Sequence, residues 1–317
     1  MTASNHIKGQ GMNVLIPVDG SPCSNAALAF MAARPFKDAH RPQIDLLNVQ
    51  RPLPPRAGRA VGADWARSWY EAESRKVLKP AALTLQQGGL DPAWYARVGD
   101  PAVEISEWAD RHPVDLIVMG SHGHTALKGL IFGSVTQKVL AYSTVPVLAL
   151  RTQKAPSRAT LRVGIALDGG EYGTAASDYV LEHRPLWGLR PVVTLIHVRP
   201  PKHGGSLPRH ESTLVPTVDE AEVARVEDAA FEQVLAPVRQ KFEQAQFAVQ
   251  EQRIVGQAGH AIADFARTAG LDILVMGSHG RGSLTAAVLG SVAWRTAATC
   301  ATPLLLIRKI TSAPTAD

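Results

Sequence analysis

Hydrophobic positions along this chain follow two alternating rhythms. Short apolar runs, NVLIPV, IDLLNV, WYARV, DLIVM and VPVLAL, have the length of strands. Between them lie longer segments with apolar residues at helical spacing, over residues 26–33, 65–85 and 102–110. Ser21 followed by Pro22, and Asp100 followed by Pro101, read as helix starts. In each case a capping side chain precedes the residue best tolerated at the first helical position. Strand–helix alternation of this kind predicts a parallel sheet with helices on both faces.

The pattern is written twice. DLIVMGSHGHTALKGLIFGSV, from Asp115 to Val135, matches DILVMGSHGRGSLTAAVLGSV, from Asp272 to Val292, without a gap at an offset of 157. Upstream, VLIPVDG (Val14 to Gly20) matches VGIALDG (Val163 to Gly169), and LLNVQRP matches LIHVRPP, both at an offset of 149. The second copy therefore carries eight extra residues between Pro201 and Gly256, and the Gly/Pro-rich KHGGSLPRHESTLVPT is the loop expected to hold them. A self-match this long predicts two copies of one domain, residues 11–151 and 160–310, joined by the linker TQKAPSRAT. The expected fold class is α/β, with two tandem open, doubly wound, mainly parallel five-stranded sheets.

In an open parallel sheet, ligands lie beyond the carboxyl ends of the strands, where strand order reverses. With five strands that point falls between the first strand, ending in Asp19, and the fourth, ending in Gly120. The segment GSHGHTALKGLIFGS begins there. Gly120 and Gly123 let backbone N–H groups approach an anion. Gly133 and Ser134 open the next helix, whose N-terminus is a ready phosphate site, with Ser134 the expected cap. Ser134 and Thr136 offer hydroxyl donors, and His124 and Lys128 offer positive charge. Asp19 repels phosphate and suits the base or ribose end of a nucleotide. The plainer readings are that the glycines form a tight turn and that Asp19 and Ser134 are only caps. Recurrence of both arms at unchanged spacing favours the ligand reading.

These residues resemble the universal stress protein family. Its nucleotide-binding members carry a glycine, two residues, a glycine, nine residues, then glycine with Ser or Thr. Gly120, Gly123, Gly133 and Ser134 fit that spacing, as do Gly277, Gly280, Gly290 and Ser291. VDGS after the first strand and VGDPAVEI before the fourth are similar to the family too. The resemblance implies strand order 3-2-1-4-5 and binding of ATP, or of ADP or AMP, with Mg2+ on the phosphates a further expectation. It also implies pairing of the domains through their fifth strands, here as a pseudo-dimer within one chain. Carried onto this sequence, Pro17, Val18, Asp19 and Val49 hold the adenosine. Met119, Gly120, Gly123, Gly133, Ser134, Val135 and Thr136 hold ribose and phosphates. His122 is either a turn residue or a phosphate contact, and His279 is its counterpart. The second copy matches with Ala166, Leu167, Asp168, Val198, Met276, Gly277, Gly280, Gly290, Ser291 and Val292. It departs from the first where Pro17 becomes Ala166, His124 becomes Arg281, Lys128 becomes Thr285 and Thr136 becomes Ala293. GDP also becomes GQA at Gly256 to Ala258. Weaker binding by the second copy is the expectation.

Composition narrows the function. Apolar residues make up 45% and charged residues 19%, an ordinary globular balance. The net charge of +5 sits in the first half, where residues 1–155 hold 17 Lys and Arg against 12 Asp and Glu. That excess suits an anionic ligand. No Lys/Arg cluster interleaves with aromatics, so nucleic acid is not an expected partner. Runs such as TPLLLI are far shorter than the roughly 20 residues of a membrane span. The opening MTASNHIKGQG lacks the apolar core of a secretory signal. Two cysteines, Cys23 and Cys300, one in each half, exclude a disulfide framework and fit a cytoplasmic location. Cys23 lies near a helix start, a position that lowers a thiol pKa.

Three functions compete: a regulator that signals through nucleotide occupancy to a protein partner, a slow ATPase or phosphotransferase, and a non-catalytic interaction scaffold. The enzyme reading lacks parts. Neither Gly120 to Thr136 nor Gly277 to Ala293 contains an Asp or Glu, no GK[ST] follows the glycines, and DGSPCS and DGGEYG do not fit an adenylating loop. The scaffold reading requires a broken motif, and both motifs are intact. The regulator is the reading carried forward, with a homodimer of tandem chains as a further expectation.

Overall fold

The computed structural model describes residues 11–56, 62–123, 132–151, 155–200, 220–279 and 289–308. The first half runs β1 (Asn13–Pro17), α1 (Pro22–Ala32), β2 (Gln43–Gln50), α2 (Ala63–Gln87), β3 (Pro92–Val98), α3 (Pro101–Arg111), β4 (Leu116–Gly120), α4 (Ser134–Tyr142) and β5 (Val147–Leu150). The second runs β6 (Arg162–Leu167), α5 (Glu171–Glu182), β7 (Val192–Arg199), α6 (Glu220–Gln244), β8 (Ala248–Val255), α7 (Ala258–Thr268), β9 (Ile273–Gly277), α8 (Ser291–Thr299) and β10 (Leu304–Ile307). Both expected caps are in place. Ser21 Oγ accepts from Ser24 N at 3.3 Å, and Asp100 Oδ1 accepts from Ala102 N at 2.9 Å.

The strands β2 and β7 lie 149 residues apart, whereas the helices that follow them, α2 and α6, lie 157 apart. The extra residues of the second copy therefore fall between Arg199 and Glu220. The loop assigned to them from sequence, residues 202–217, lies outside the described residues.

The two expected five-stranded sheets join through their fifth strands into one continuous sheet. Ten strands run in the order β3-β2-β1-β4-β5-β10-β9-β6-β7-β8. Each half is parallel, in the expected order 3-2-1-4-5, and β5 joins β10 antiparallel. Strands that short, buried on both faces, would be sticky edges if left open, and pairing satisfies their backbone groups. Leu148 faces Leu305, its own equivalent in the other copy, so a pseudo-twofold axis passes through that pair.

Alternate residues of each strand feed two cores. On one face α1, α2, α5 and α6 cover Val14, Ile16, Val163 and Ile165. On the other, α3, α4, α7 and α8 cover Leu15, Ile117, Leu274 and Leu306. Both cores run unbroken across the seam. Two arginines lock it symmetrically: Arg151, just past β5, donates to Ala297 O of α8, and Arg308, just past β10, donates to Leu140 O of α4. Burial lowers the pKa of both guanidinium groups.

Candidate nucleotide site

Both halves reverse strand order at the same place. β1 lies between β2 and β4, and β6 between β7 and β9. A crevice thus forms at the carboxyl ends of each central pair.

In the first crevice Asp19 is exposed, and its Oδ1 accepts from Ser21 N at 2.9 Å. Gly123 stands opposite: a Cβ there would lie 2.7 Å from Asp19 Oδ2, so a side chain at 123 would push the carboxylate aside. Gly120 is required for a different reason. A Cβ there would lie 2.6 Å from the Cys23 carbonyl carbon, so the first turn of α1 rests directly on the end of β4. The turn is braced from three sides. Ser121 N donates to Leu150 O at 2.8 Å, Ser21 Oγ to His122 O at 3.4 Å, and Gly133 N to Ser121 O at 2.7 Å.

Two local expectations are corrected here. Gly133, not Ser134, is the N-cap of α4, and it makes no side-chain cap bond. Ser134 is exposed at the first helical position, and the leading N–H groups of α4, like those of any helix, have no partner within the helix itself. The Cys23 thiol is pushed up, not down, because burial outweighs a hydrogen bond with the His122 backbone.

The remaining residues divide by role. Thr136 is buried, and its hydroxyl donates to Gly120 O at 3.0 Å, tying α4 to the end of β4. Pro17, Val18 and Met119 are buried, while Val49 and Val135 are half-buried against the second core. His122 is half-buried and shares a hydrogen bond between its Nδ1 and the Ser121 hydroxyl at 2.9 Å. His124 and Lys128 lie outside the described residues.

The second crevice repeats this frame with other fillings. Asp168 Oδ1 accepts from Gly170 N at 2.9 Å. A Cβ on Gly277 would lie 2.5 Å from Tyr172 Cβ, so α5 rests on β9 as α1 does on β4. Gly290 N donates to Ser278 O at 2.8 Å, and Gly290 caps α8 without a side-chain bond. Ser291 and Val292 are exposed, Ala166, Leu167 and Met276 are buried, and Val198 is half-buried. Ala293 is buried and has no hydroxyl to match the Thr136 brace. His279 is buried, with Nδ1 sharing a bond with the Ser278 hydroxyl at 2.9 Å and the ring 5.3 Å from Tyr172. Its Nε2 has no hydrogen-bond partner among the described residues. Gly280, Arg281 and Thr285 lie outside the described residues.

Sequence reasoning passed over one pair. Asn48 Nδ2 donates to Val18 O at 2.8 Å, and His197 Nδ1 meets Leu167 O at 2.6 Å. Each holds the backbone just before the strand-end Asp. The signal was present as a polar residue inside an apolar strand, in both copies at the same offset.

Among the described residues, no group of three His, Cys, Asp or Glu side chains converges as a metal site would require. Nor is any helix among them long and apolar enough to cross a membrane.

A family model described as the universal stress protein family matches residues 12–151 and again residues 160–308. Universal stress protein YxiE of Bacillus subtilis is 32% identical over 146 residues, which cover 44% of this chain and 97% of that protein. A universal stress protein of Mycolicibacterium smegmatis is 26% identical over 312 residues, 93% of this chain and 96% of that protein. Among solved structures, a universal stress protein from Archaeoglobus fulgidus superposes with a TM-score of 0.65 at 21% identity, covering 94% of this chain and 99% of that one. That likeness concerns the fold.

Proposed function

The chain belongs to the universal stress protein family, and from that premise we propose that each half binds an adenine nucleotide, ATP foremost, in the crevice between its first and fourth strands. The chain then acts in stress response as a regulator whose occupancy a protein partner reads. One observation carries this reading. A strand-end carboxylate, a glycine turn pressed against it and a helix start without a side-chain cap meet at Asp19, Gly123 and Gly133. Asp168 and Gly290 stand at the same stations of the second half.

The chemistry of these parts divides a nucleotide into two ends. Asp19 and Asp168 accept from ribose or base. The glycine turn and the starts of α4 and α8 offer N–H donors and a positive dipole end to phosphate. In the second crevice the Nε2 of His279, without a hydrogen-bond partner among the described residues, adds a buried polar atom beside the same turn. Mg2+ bound with the phosphates would draw on the nucleotide's own oxygens more than on protein carboxylates, because the turn and helix start contain none.

That same lack argues for little or slow hydrolysis. Phosphoryl transfer to water needs a group that positions the nucleophile, and neither turn carries an acidic one. Phosphate release is expected to stay well under the roughly 1 s⁻¹ of slow typical enzymes. Turnover of tens per second would assign an ATPase instead. The identity of the ligand is tested by mass spectrometry of the small molecules released from unheated, freshly purified chain. An adenine nucleotide is expected; a guanine nucleotide or a non-nucleotide would overturn the reading. The absence of a disulfide framework supports a reducing, cytoplasmic setting.

A further inference from the structure

The ten-stranded sheet ends in β3 on one side and in β8 on the other, and among the described residues nothing pairs with the outer side of either. Gly99 N donates to Gln50 O, and Gly256 N to Arg199 O. Backbone groups alternate between the two sides of a strand. Residues 94, 96 and 98 of β3, and 251, 253 and 255 of β8, therefore turn theirs to the open edge. On β8 that edge is guarded. Glu251 and Arg253 stand on it, and ion pairs tie them to each other and to Arg239, Glu232 and Asp228. Arg253 also lies over the ring of Phe231, a buried residue of α6. Charges held in this way keep a further strand off.

At equivalent places 157 residues earlier, β3 has Trp94 for Glu251 and Ala96 for Arg253, and α2 has Ser74 for Phe231. The outward positions of β3 thus hold no charge. Every residue from Ala93 to Val98 is exposed; Trp94 and Val98 each keep 44% of their surface and Tyr95 keeps 39%. Pro92 opens the strand on the same side as Trp94, where an edge tolerates a residue without an N–H. On the opposite face an aromatic row leads inward from the edge: Tyr95 lies 4.5 Å from Trp108, and Trp108 lies 4.0 Å from His112. An exposed edge of this length, apolar where its backbone is open, is a template for another strand.

The strand carries its own complement. Asp91 and Arg97 lie at equal distances along the chain on either side of Trp94. In an antiparallel pair centred on Trp94, each Asp91 faces the Arg97 of the other strand, and each Ala93 faces a Tyr95. The outward backbone groups meet in the same register. Trp94 exchanges N–H···O bonds with its equivalent, and the Ala96 N–H meets the Pro92 carbonyl. Arg97 holds its guanidinium carbon 5.3 Å from the centre of the Trp108 ring, and a guanidinium stacked in that way still offers the donors of its rim to a carboxylate. The chain already makes a joint of this kind within itself, where β5 meets β10 antiparallel. We propose that β3 is the interface for a second copy of this chain, paired antiparallel about Trp94, so that the two ten-stranded sheets run on as one. The homodimer expected from sequence thereby acquires a specific surface and register. The proposal does not rest on nucleotide binding.

Analytical ultracentrifugation of the full chain over a dilution series tests it, with circular dichroism to check the fold of each variant. The wild type should be a dimer at about 100 μM and dissociate on dilution, as a joint of small area does. Asp91→Arg and Arg97→Asp each set like charges opposite one another and should weaken the dimer at least about tenfold. Combining the two exchanges restores opposite charges and should recover most of that loss. Trp94→Glu with Ala96→Arg rebuilds the guarded edge of β8 and should leave a monomer. Trp94→Cys should yield a disulfide-linked dimer under copper–phenanthroline oxidation, because paired residues lie about 5.5 Å apart at Cα. The wild type and Val98→Cys should not. A wild type that is monomeric at about 100 μM, a dimer undiminished in the folded β3 variants, or no recovery in the double exchange would overturn the proposal.

Discussion

At the seam the two halves make the same contacts in mirror positions, whereas at the outer edges they part. Arg151 reaches Ala297 O as Arg308 reaches Leu140 O, and Leu148 faces its own equivalent. Beyond β2 and β7 the copies diverge: Ser74 against Phe231, Ala96 against Arg253, Asp100 against Gln257. The difference teaches where the fold is constrained. An antiparallel joint around a pseudo-twofold axis sets each half directly against the other, so a change in either copy alters a contact that both halves need. An outer edge touches nothing across the axis, so each half is free to fill it, charge it or leave it bare.

The largest expected break in the comparison is at position 74 and its equivalent. Phe231→Ala should cost about 3–5 kcal/mol, as large-to-small changes at buried aromatics do. Ser74→Ala should be neutral within about 0.5 kcal/mol or stabilising, because it removes a buried hydroxyl that has no partner among the described residues. Urea denaturation of each variant measures both, and equal losses would mean that the two edges are packed alike. At the seam the expectation is the reverse. Arg151→Ala and Arg308→Ala should each cost about 1.5–3 kcal/mol, the range for hydrogen bonds to charged groups, and by similar amounts. A loss confined to one of them would show that the lock is not symmetric.

A smaller difference separates the caps of α3 and α7. Asp100 caps α3, and its carboxyl is held below the usual range, first by the hydrogen bond from Lys138 and also by the amides of Ala102 and Val103. Gln257 makes no side-chain cap bond. Asp100→Ala should therefore cost about 1 kcal/mol at pH 7. Because the folded pKa is depressed, this contribution is complete above the unfolded value of about 3.9 and is lost as pH falls through the lower folded value. Gln257→Ala should show little cost and no such pH dependence. Denaturation at pH 7 and again well below pH 3 separates the two, and a cost at Asp100 that does not shrink in acid would contradict the assignment.

The smallest effect concerns affinity. The first crevice has Lys128 nearby in sequence where the second has Thr285, while Arg281 replaces His124. The Thr136 hydroxyl is committed to Gly120 O, so its absence at Ala293 removes a brace, not a direct donor. A gap of about 1 kcal/mol, several-fold in Kd, is expected in favour of the first crevice. Lys128→Ala should narrow it, and a tighter second crevice would show that Arg281 outweighs Lys128.

Much of this was legible in the chain. Strand-length apolar runs, caps at Ser21 and Asp100, and the doubled glycine motif gave the alternation, the repeat and the place of strand reversal. What stayed hidden depends on contacts between distant segments. Gly120 reads as a phosphate glycine, yet its lack of a Cβ is demanded by Cys23 on α1, a neighbour only in space. Thr136 reads as a ligand donor, but a carbonyl on β4 lies within its reach. Arg151 and Arg308 end both fifth strands at the same offset, and only the fused sheet shows what they bind. Ser134 was expected to cap because Ser is a good cap, but the helix begins one residue earlier than that role needs.

The central claim is that each half holds one adenine nucleotide at its own crevice, and calorimetric titration of nucleotide-free chain with ATP tests it most directly. Two equivalents are expected for the wild type and one each for Gly133→Val and Gly290→Val. The Gly133 variant is expected to stay folded, since a Cβ there would find its nearest neighbours at 3.4 Å, and circular dichroism checks the fold of both variants. The double variant should bind none, and GTP should bind more weakly than ATP. No heat with ATP at millimolar concentration, or full stoichiometry in the folded double variant, would contradict the account.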